Sequence, residues 1–580
     1  MQKIEFIDQT IRDAQQSAWG YMMRTDHITP IAETMDKVGY RNIATVGSQA
    51  YTVQVRTLGE DPWERIRTLE KMMPKTPIRG SYQIGSLSAF DLGTPRDIIA
   101  LWIKRSVANG CKSFWVCDYQ SDMAKFDYFA RIAKEEGAEV VPALMWTKSP
   151  AHTLEQWAHK TRLLAASKYI DRIMIEDASG IISPEETREL VKTVRENCSG
   201  LPLELHIHCN SGLAPICYLE AMKEGITTFH TVVAPMAHGT SLPPTETVLR
   251  NAKLLGFTSD MDEDALAAES KYFREITERE GFAIGVPTEY DLYYFQHQVP
   301  GGMMTNFTRQ LREVGMIDKL DAILEECIEV RKDLGFPVMA TPFSQIVGAQ
   351  ALENVLSGER YKNFTDETLK YIAGCYGEPI VPVDQNLLDK VMDLPKYKGF
   401  IGWTAPGYLK TVEEIRKDMG AGPELSDDDL LLKYLIPGQP AKRPETKRAP
   451  AKAAAKGAAS ANMPPEFPTA FNVEVDGETF NVRISPSWDG EGEAEGAEGA
   501  SKKKKAKEAL PGAISSGMAG LVLSFEVNVG DTVSAGDLVA MIEAMKMRRH
   551  VNCPHSGVVK EICAEVGEIV EPEDILMTVV

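Results

Sequence analysis

The sequence predicts an α/β chain built in parts: a (β/α)8 barrel, a mainly α-helical domain, flexible linkers and a small all-β domain folded as a flattened β-sandwich. Three observations carry this. From residue 1 to about 258, eight short apolar runs alternate with helix-length amphipathic segments, the rhythm of strand–helix units. From 259 to 436 the apolar spacing turns mainly helical. Over 512–580 apolar and polar residues instead alternate around Gly-Asp and Gly-Glu turn signals, as short strands do.

The eight runs are Ile4–Ile7, Asn42–Val46, Ile78–Tyr82, Ser113–Cys117, Glu139–Leu144, Arg172–Ile175, Leu203–Ile207 and Thr227–Val232. Between them, 95–109, 123–136, 153–167, 184–197 and 212–224 carry helical spacing. Eight units in 1–258 point to a TIM barrel; an open doubly wound sheet would announce a Gly-rich phosphate loop after its first strand. In 259–436, helices are expected over 262–280, 306–335 and 345–357. The Ala, Pro and Lys-rich tract 437–464 cannot bury a core and reads as a linker. Segment 465–486 holds a hairpin, Phe471–Ile484, turning at Asp476-Gly477. A second low-complexity linker, 487–511, runs from Glu and Gly into Lys502–Lys505. Each linker spans roughly 25–30 Å as a random chain, a reach that suits a domain visiting two places. In 512–580, Gly520, Val529-Gly530, Asp537 and Leu538 recur as Gly557, Val566-Gly567, Asp574 and Ile575. Two such halves place Lys546 on the tight turn between them.

Composition narrows the partners. A formal charge of −20 argues against nucleic acid and anionic membranes, which require basic patches. Nine scattered cysteines with no CxxC fit reduced thiols in a cytoplasmic protein. The start, Met1-Gln2-Lys3-Ile4-Glu5, lacks the regions of a signal peptide. No apolar run approaches the roughly 18 residues that span a bilayer.

In a barrel of this type the chemistry sits at the C-terminal ends of the strands. Those ends offer Asp13, Asp118, Glu176-Asp177, His206 and His208. His206-Ile207-His208 is the sharpest signal, because alternate residues of a strand face the same side and both imidazoles can address one ion. With acidic residues on other strands, this is a candidate site for Zn, Mn or Co. Two hydrogen-bonded histidines lining a polar mouth are the structural alternative.

The motifs then show a resemblance. Glu543-Ala544-Met545-Lys546-Met547, with its flanks, resembles the biotin carboxyl carrier domain, whose lysine is acylated by a biotin protein ligase. Asp8-Gln9-Thr10-Ile11-Arg12-Asp13-Ala14-Gln15-Gln16-Ser17 is similar to the opening motif of biotin-dependent carboxyltransferases. Glu60-Asp61-Pro62-Trp63-Glu64-Arg65, His206-Ile207-His208, Gly239-Thr240-Ser241 and His297-Gln298-Val299-Pro300-Gly301-Gly302 continue the match. The resemblance implies transfer of a carboxyl group between carboxybiotin on Lys546 and a small acid, with pyruvate and oxaloacetate as the family default. It implies Asp13, His206 and His208 as metal ligands, and Arg12 and Gln16 as holders of the substrate carboxylate and carbonyl. Thr240 would shuttle a proton, or simply cap a helix. A separate ATP-dependent biotin carboxylase subunit or a membrane decarboxylase subunit is the expected partner, and a homo-oligomer the expected assembly.

The chain departs from the family around the mouth. Glu176 stands where the family has a lysine that becomes a carbamate, so Glu176 is expected as a direct or water-mediated fourth ligand. Trp115 replaces a substrate-side arginine, and Lys148 is a candidate replacement cation. These changes open three alternatives: the same chemistry on a larger or more apolar substrate, a non-catalytic biotin-carrier scaffold, and a metal-dependent aldolase-type lyase.

Overall fold

The computed structural model describes residues 2–87, 93–117, 122–313, 316–377, 379–405, 407–436, 470–475, 478–483, 512–516, 520–544, 547–570 and 574–580. The eight runs form one closed parallel barrel. Its strands are β1 (Glu5–Asp8), β2 (Asn42–Gly47), β3 (Ile78–Gln83), β4 (Cys111–Cys117), β5 (Glu139–Met145), β6 (Ile173–Asp177), β7 (Leu203–Ile207) and β8 (Thr228–Thr231). β6 continues past its apolar run because Glu176 and Asp177 stay in register with His206 and Ile207 of β7. A change to polar side chains ends the hydrophobic signal without ending the backbone ladder.

Strand alternation sorts the side chains. Leu203, Leu205 and Ile207 face outward and join the main core with Trp102, Phe129, Trp157, Leu190 and Tyr218 of the surrounding helices. Each such burial contributes about 1.5–3 kcal/mol. The helix Pro184–Asn197 begins in a capping box, Ser183 with Glu186, and has Pro184 at its first turn. Inside the barrel, the floor is ionic: Arg79 donates to Glu204 at 2.6 Å and Arg172 Nε lies 2.7 Å from the other carboxylate oxygen. Removing one member would strand a buried charge, costing about 3–5 kcal/mol.

The helices after the barrel divide between two cores. Glu263–Glu280 packs Leu266, Phe273 and Ile276 into the barrel's core, and Asp427–Leu435 returns to it through Leu431. A second core gathers Phe307, Leu311, Ile323, Leu324, Val330 and Val347. The single helix expected over 306–335 is in fact two, Gly301–Glu313 and Leu320–Asp333, with a 3-10 turn at Ile317–Lys319 before the second. Gly315 lies in the middle of that run, and glycine costs a helix roughly 1 kcal/mol relative to alanine. Buried Arg331 ties this region to the barrel mouth, donating to Pro337 O, Thr147 Oγ1 and Lys148 O at 3.0, 3.1 and 3.0 Å.

The C-terminal residues form two four-stranded sheets around Val522, Val539, Ile542, Val559 and Leu576. Strand Leu538–Ala544 pairs with Met547–Asn552, Ala544 opposite Met547. Separately, Ala470–Val475 and Glu478–Arg483 form the expected antiparallel hairpin.

Two buried carboxyls behind β1 make stability pH-dependent. Burial raises Asp8 to about 7 and lifts Glu269, which accepts from Tyr40 at 3.1 Å, well above the carboxylate range. A carboxyl raised in the folded state keeps a proton that the unfolded chain has lost. Its contribution is therefore full below the unfolded value of 3.8 and is lost as pH rises through about 7. Glu269→Gln removes part of that loss. Its melting temperature should gain on the wild type as pH rises above the ordinary carboxylate range, by several degrees; parallel pH–melting curves check this.

Candidate active site

β1 delivers the first ligand through a tight turn. The Asp8 carboxylate accepts from Thr10 N at 3.1 Å and from Thr10 Oγ1 at 2.5 Å, drawing the chain into a π-helical turn, Thr10–Ala14. Such turns recur at functional sites because the extra residue re-aims a side chain. This one turns Asp13 toward the C-terminal mouth, where His206 and His208 arrive from β7. Asp13 Oδ2 lies 3.8 Å from His206 Nε2, and Oδ1 lies 3.5 Å from His208 Nε2. The two Nε2 atoms are 3.3 Å apart. All three residues are buried, and their ligand atoms lie within 4.8 Å of one another.

The donor set fits a divalent cation. His208 Nδ1 faces the Thr240 carbonyl at 2.7 Å, an acceptor only, so Nδ1 carries the proton and Nε2 is bare. Asp13 Oδ1 is buried without a hydrogen-bond partner. A bare imidazole nitrogen and an orphaned carboxylate oxygen, both facing a second imidazole, are donors that a cation between them would satisfy. Among the described residues no other group of three or more such side chains converges this way.

Beside the cluster lies a cation. Arg12 donates to Asp13 Oδ2 at 2.5 Å, and its guanidinium carbon sits 4.2 Å from the centroid of the Trp115 ring. Trp115 also packs 5.0 Å from the His206 ring. It also meets the His230 ring, 6.4 Å away, and the Glu176 carboxyl, and it shares an apolar cluster with Cys117, Val141, Ala143, Met145, Met174, and Val338 and Ala340 from the chain after helix Leu320–Asp333. Glu176, in register with His206, is fully buried and its Oε2 has no partner. Burial pushes its carboxyl well above the usual range; Arg12 opposes this, and Asp13 and Asp177 add to it. Glu176 is outside the three-residue group.

Other expected residues fall differently. Gln16 is half-buried on the turn Gln15–Ser17, four residues beyond Arg12. The Thr240 hydroxyl donates to Ser17 O at 2.7 Å, so its proton is already committed. Thr240 also meets the cluster through its carbonyl, which faces His208 Nδ1. Lys148 forms an ion pair. Its ammonium pairs with Glu186 at 2.5 Å on a half-exposed side chain, while its carbonyl is held by Gln298 and Arg331. Asp177 accepts from four backbone amides, Ser179 to Ile182, at 2.7–3.1 Å, and shapes the loop after β6. In that loop Gly180 (φ +64°) passes so close to His208 that a Cβ would meet its carbonyl at 2.4 Å. Asp118 and Lys546 lie outside the described residues.

Sequence reasoning missed Gln9, Glu204 and His230. His230 Nδ1 lies 3.2 Å from His206 Nδ1 and 2.8 Å from Gln9 Nε2; its Nε2 lies 3.0 Å from Glu204. Strand parity was the available signal, since Glu204 precedes His206 by two residues and His230 lies on the neighbouring strand.

A parallel eight-stranded barrel with ligands gathered at its C-terminal mouth, together with a separate two-sheet domain, defines a barrel enzyme with its own carrier domain. Residues 3–272 match the HMGL-like family, 295–483 the conserved carboxylase domain, and 510–579 the biotin-requiring enzyme family. The chain is 36% identical over 552 residues to a pyruvate carboxylase subunit of Methanocaldococcus jannaschii, covering 94% of each chain. It is 32% identical over 626 residues to the 2-oxoglutarate carboxylase large subunit of Hydrogenobacter thermophilus, covering 100% of this chain and 95% of that one. The carboxyl transferase domain of Rhizobium etli pyruvate carboxylase, solved with pyruvate, shares the fold at a TM-score of 0.66 and 22% identity, covering 75% of this chain and 76% of that one. The chain belongs to the biotin-dependent carboxyltransferase family, and its C-terminal domain is a biotinyl domain. Among the described residues no helix is long and apolar enough to cross a membrane.

Proposed function

We propose that this enzyme moves a carboxyl group between biotin carried on Lys546 and pyruvate or oxaloacetate. The observation that carries the substrate reading is Arg12, held by Asp13 and the Trp115 face beside the ligand cluster. A fixed guanidinium suits one carboxylate of a small 2-oxo acid. Asp13, His206 and His208 would hold a divalent ion, Zn, Mn or Co, with Glu176 as a direct or water-mediated fourth ligand; the unpartnered Glu176 Oε2 supports this. Such an ion supplies Lewis-acid stabilisation where enolate charge develops on the substrate oxygen. Around it, Arg12 orients the carboxylate, Gln16 is placed to meet the carbonyl, and the apolar wall from Trp115 to Met145 excludes water. The chemistry takes place in the cytoplasm. The archaeal relative, itself one subunit of a pyruvate carboxylase, supports a separate ATP-dependent biotin carboxylase polypeptide as partner.

Transfer from oxaloacetate labelled at its C4 carboxyl tests the reading. The biotinylated protein should acquire acid-labile label and release pyruvate. Label taken only from another 2-oxo acid would reassign the substrate, with a 2-oxoglutarate-type acid first in line given the second relative. Label from none would favour a scaffold. Within the same assay, Trp115→Leu removes the ring under Arg12 and should raise KM for the acid about 5–10-fold. Lys148→Ala should stay within about twofold, since it breaks only an exposed ion pair. A larger effect of Lys148 than of Trp115 would reverse the assignment of the anion site.

A further inference from the structure

We infer that His230 is a positioning residue for the candidate metal centre: with Glu204 beneath it and Gln9 beside it, it sets the tautomer and the orientation of His206. The inference rests on the reading of Asp13, His206 and His208 as metal ligands.

One buried chain of contacts fixes where the protons sit. Glu204, His206 and His230 all face the barrel interior and are fully buried. At the lower end, Arg79 and Arg172 both grip Glu204, at 2.6 and 2.7 Å. Two guanidinium groups on one carboxyl keep it ionised. A carboxylate held this way only accepts. His230 Nε2, 3.0 Å away, must therefore donate to it. A neutral imidazole has a single N–H, so His230 Nδ1 is left as an acceptor. It receives the Gln9 amide at 2.8 Å and faces His206 Nδ1 at 3.2 Å. His206 can satisfy that contact only by protonating Nδ1. Its Nε2 is then bare, and Nε2 is the atom turned toward Asp13 and His208.

The opposite tautomer would bring an N–H into the ligand cluster and two lone pairs together at the His206–His230 contact. Glu204 thus acts on the cluster from two residues down the same strand, through a histidine on the next one. The two ligand histidines reach the same state by different routes, His208 through the Thr240 carbonyl and His206 through a histidine–carboxylate pair. Partners of this kind orient a metal-bound imidazole, and losing one costs roughly 10–100-fold in affinity.

Cobalt binding to the full-length protein tests the inference, read by titration and by the visible spectrum of bound Co²⁺. His230→Phe keeps a ring of similar shape and removes both nitrogens; it should weaken Co²⁺ binding about 10–100-fold and shift the spectrum. His230→Gln offers one acceptor and one donor and should recover at least part of the loss. In a His206→Ala background, adding His230→Phe should cause no further weakening, because His230 acts through His206. Binding by His230→Phe within twofold of wild type overturns the relay. Equal losses with and without His206 also overturn it and assign His230 a general packing role. If His230→Phe does not fold, the same comparisons made with His230→Leu, which also lacks both nitrogens, decide, its unchanged affinity and spectrum overturning the relay. Wild-type protein that binds no Co²⁺ overturns the metal reading and the relay with it, whereas wild-type binding with unaltered variants overturns the relay alone.

Discussion

Replacing both His206 and His208 by alanine should strip the proposed divalent metal from the protein and lower carboxyl transfer on the order of a thousandfold. Two of the three converging ligands are lost, and affinity follows ligand number and geometry. Asp13 alone, already engaged by Arg12, cannot retain an ion against water. Metal analysis of the purified chain and label transfer from oxaloacetate measure the two effects separately. Biotinylation should be unchanged, since the attachment site belongs to another domain. Full metal occupancy in the double variant would place the ion elsewhere.

Lys546→Arg abolishes avidin-detectable biotin and reduces transfer to background. Arginine keeps the positive charge, but its guanidinium, protonated at every accessible pH, gives a ligase no amine to acylate. Metal content and melting temperature of the barrel should match wild type, which separates this loss from misfolding. Avidin binding that survives the substitution would move the attachment to another lysine.

Much of the barrel was legible because a fully buried parallel strand is an apolar run, and all eight runs carry a strand. Legibility failed where the apolar signal and the backbone ladder part company. At the end of β6, Glu176 and Asp177 are polar yet paired. In 306–335, helical spacing continues on both sides of a break. The grouping of Asp13 with His206 and His208 was readable from His-x-His and a strand-end aspartate because both lie at fixed places in this architecture. Thr240 and Lys148 were not readable in the same way. Their hydrogen-bond and ion-pair partners, Ser17 and Glu186, lie far off in sequence.

The sequence by itself determined the barrel, the carrier fold and the biotinylation motif, and it placed a His-x-His pair at the mouth. These depend on periodicity and local spacing, which one chain segment specifies alone. Only the tertiary structure decided which atoms of those residues are free to act. Glu204 sits two residues from His206 but reaches it through His230 on the adjacent strand, while Trp115 on β4 supports Arg12 beyond β1. Such partnerships depend on how strands 20 to 200 residues apart register round a closed barrel, and a hydrogen bond forms only where that register brings donor and acceptor within about 3 Å.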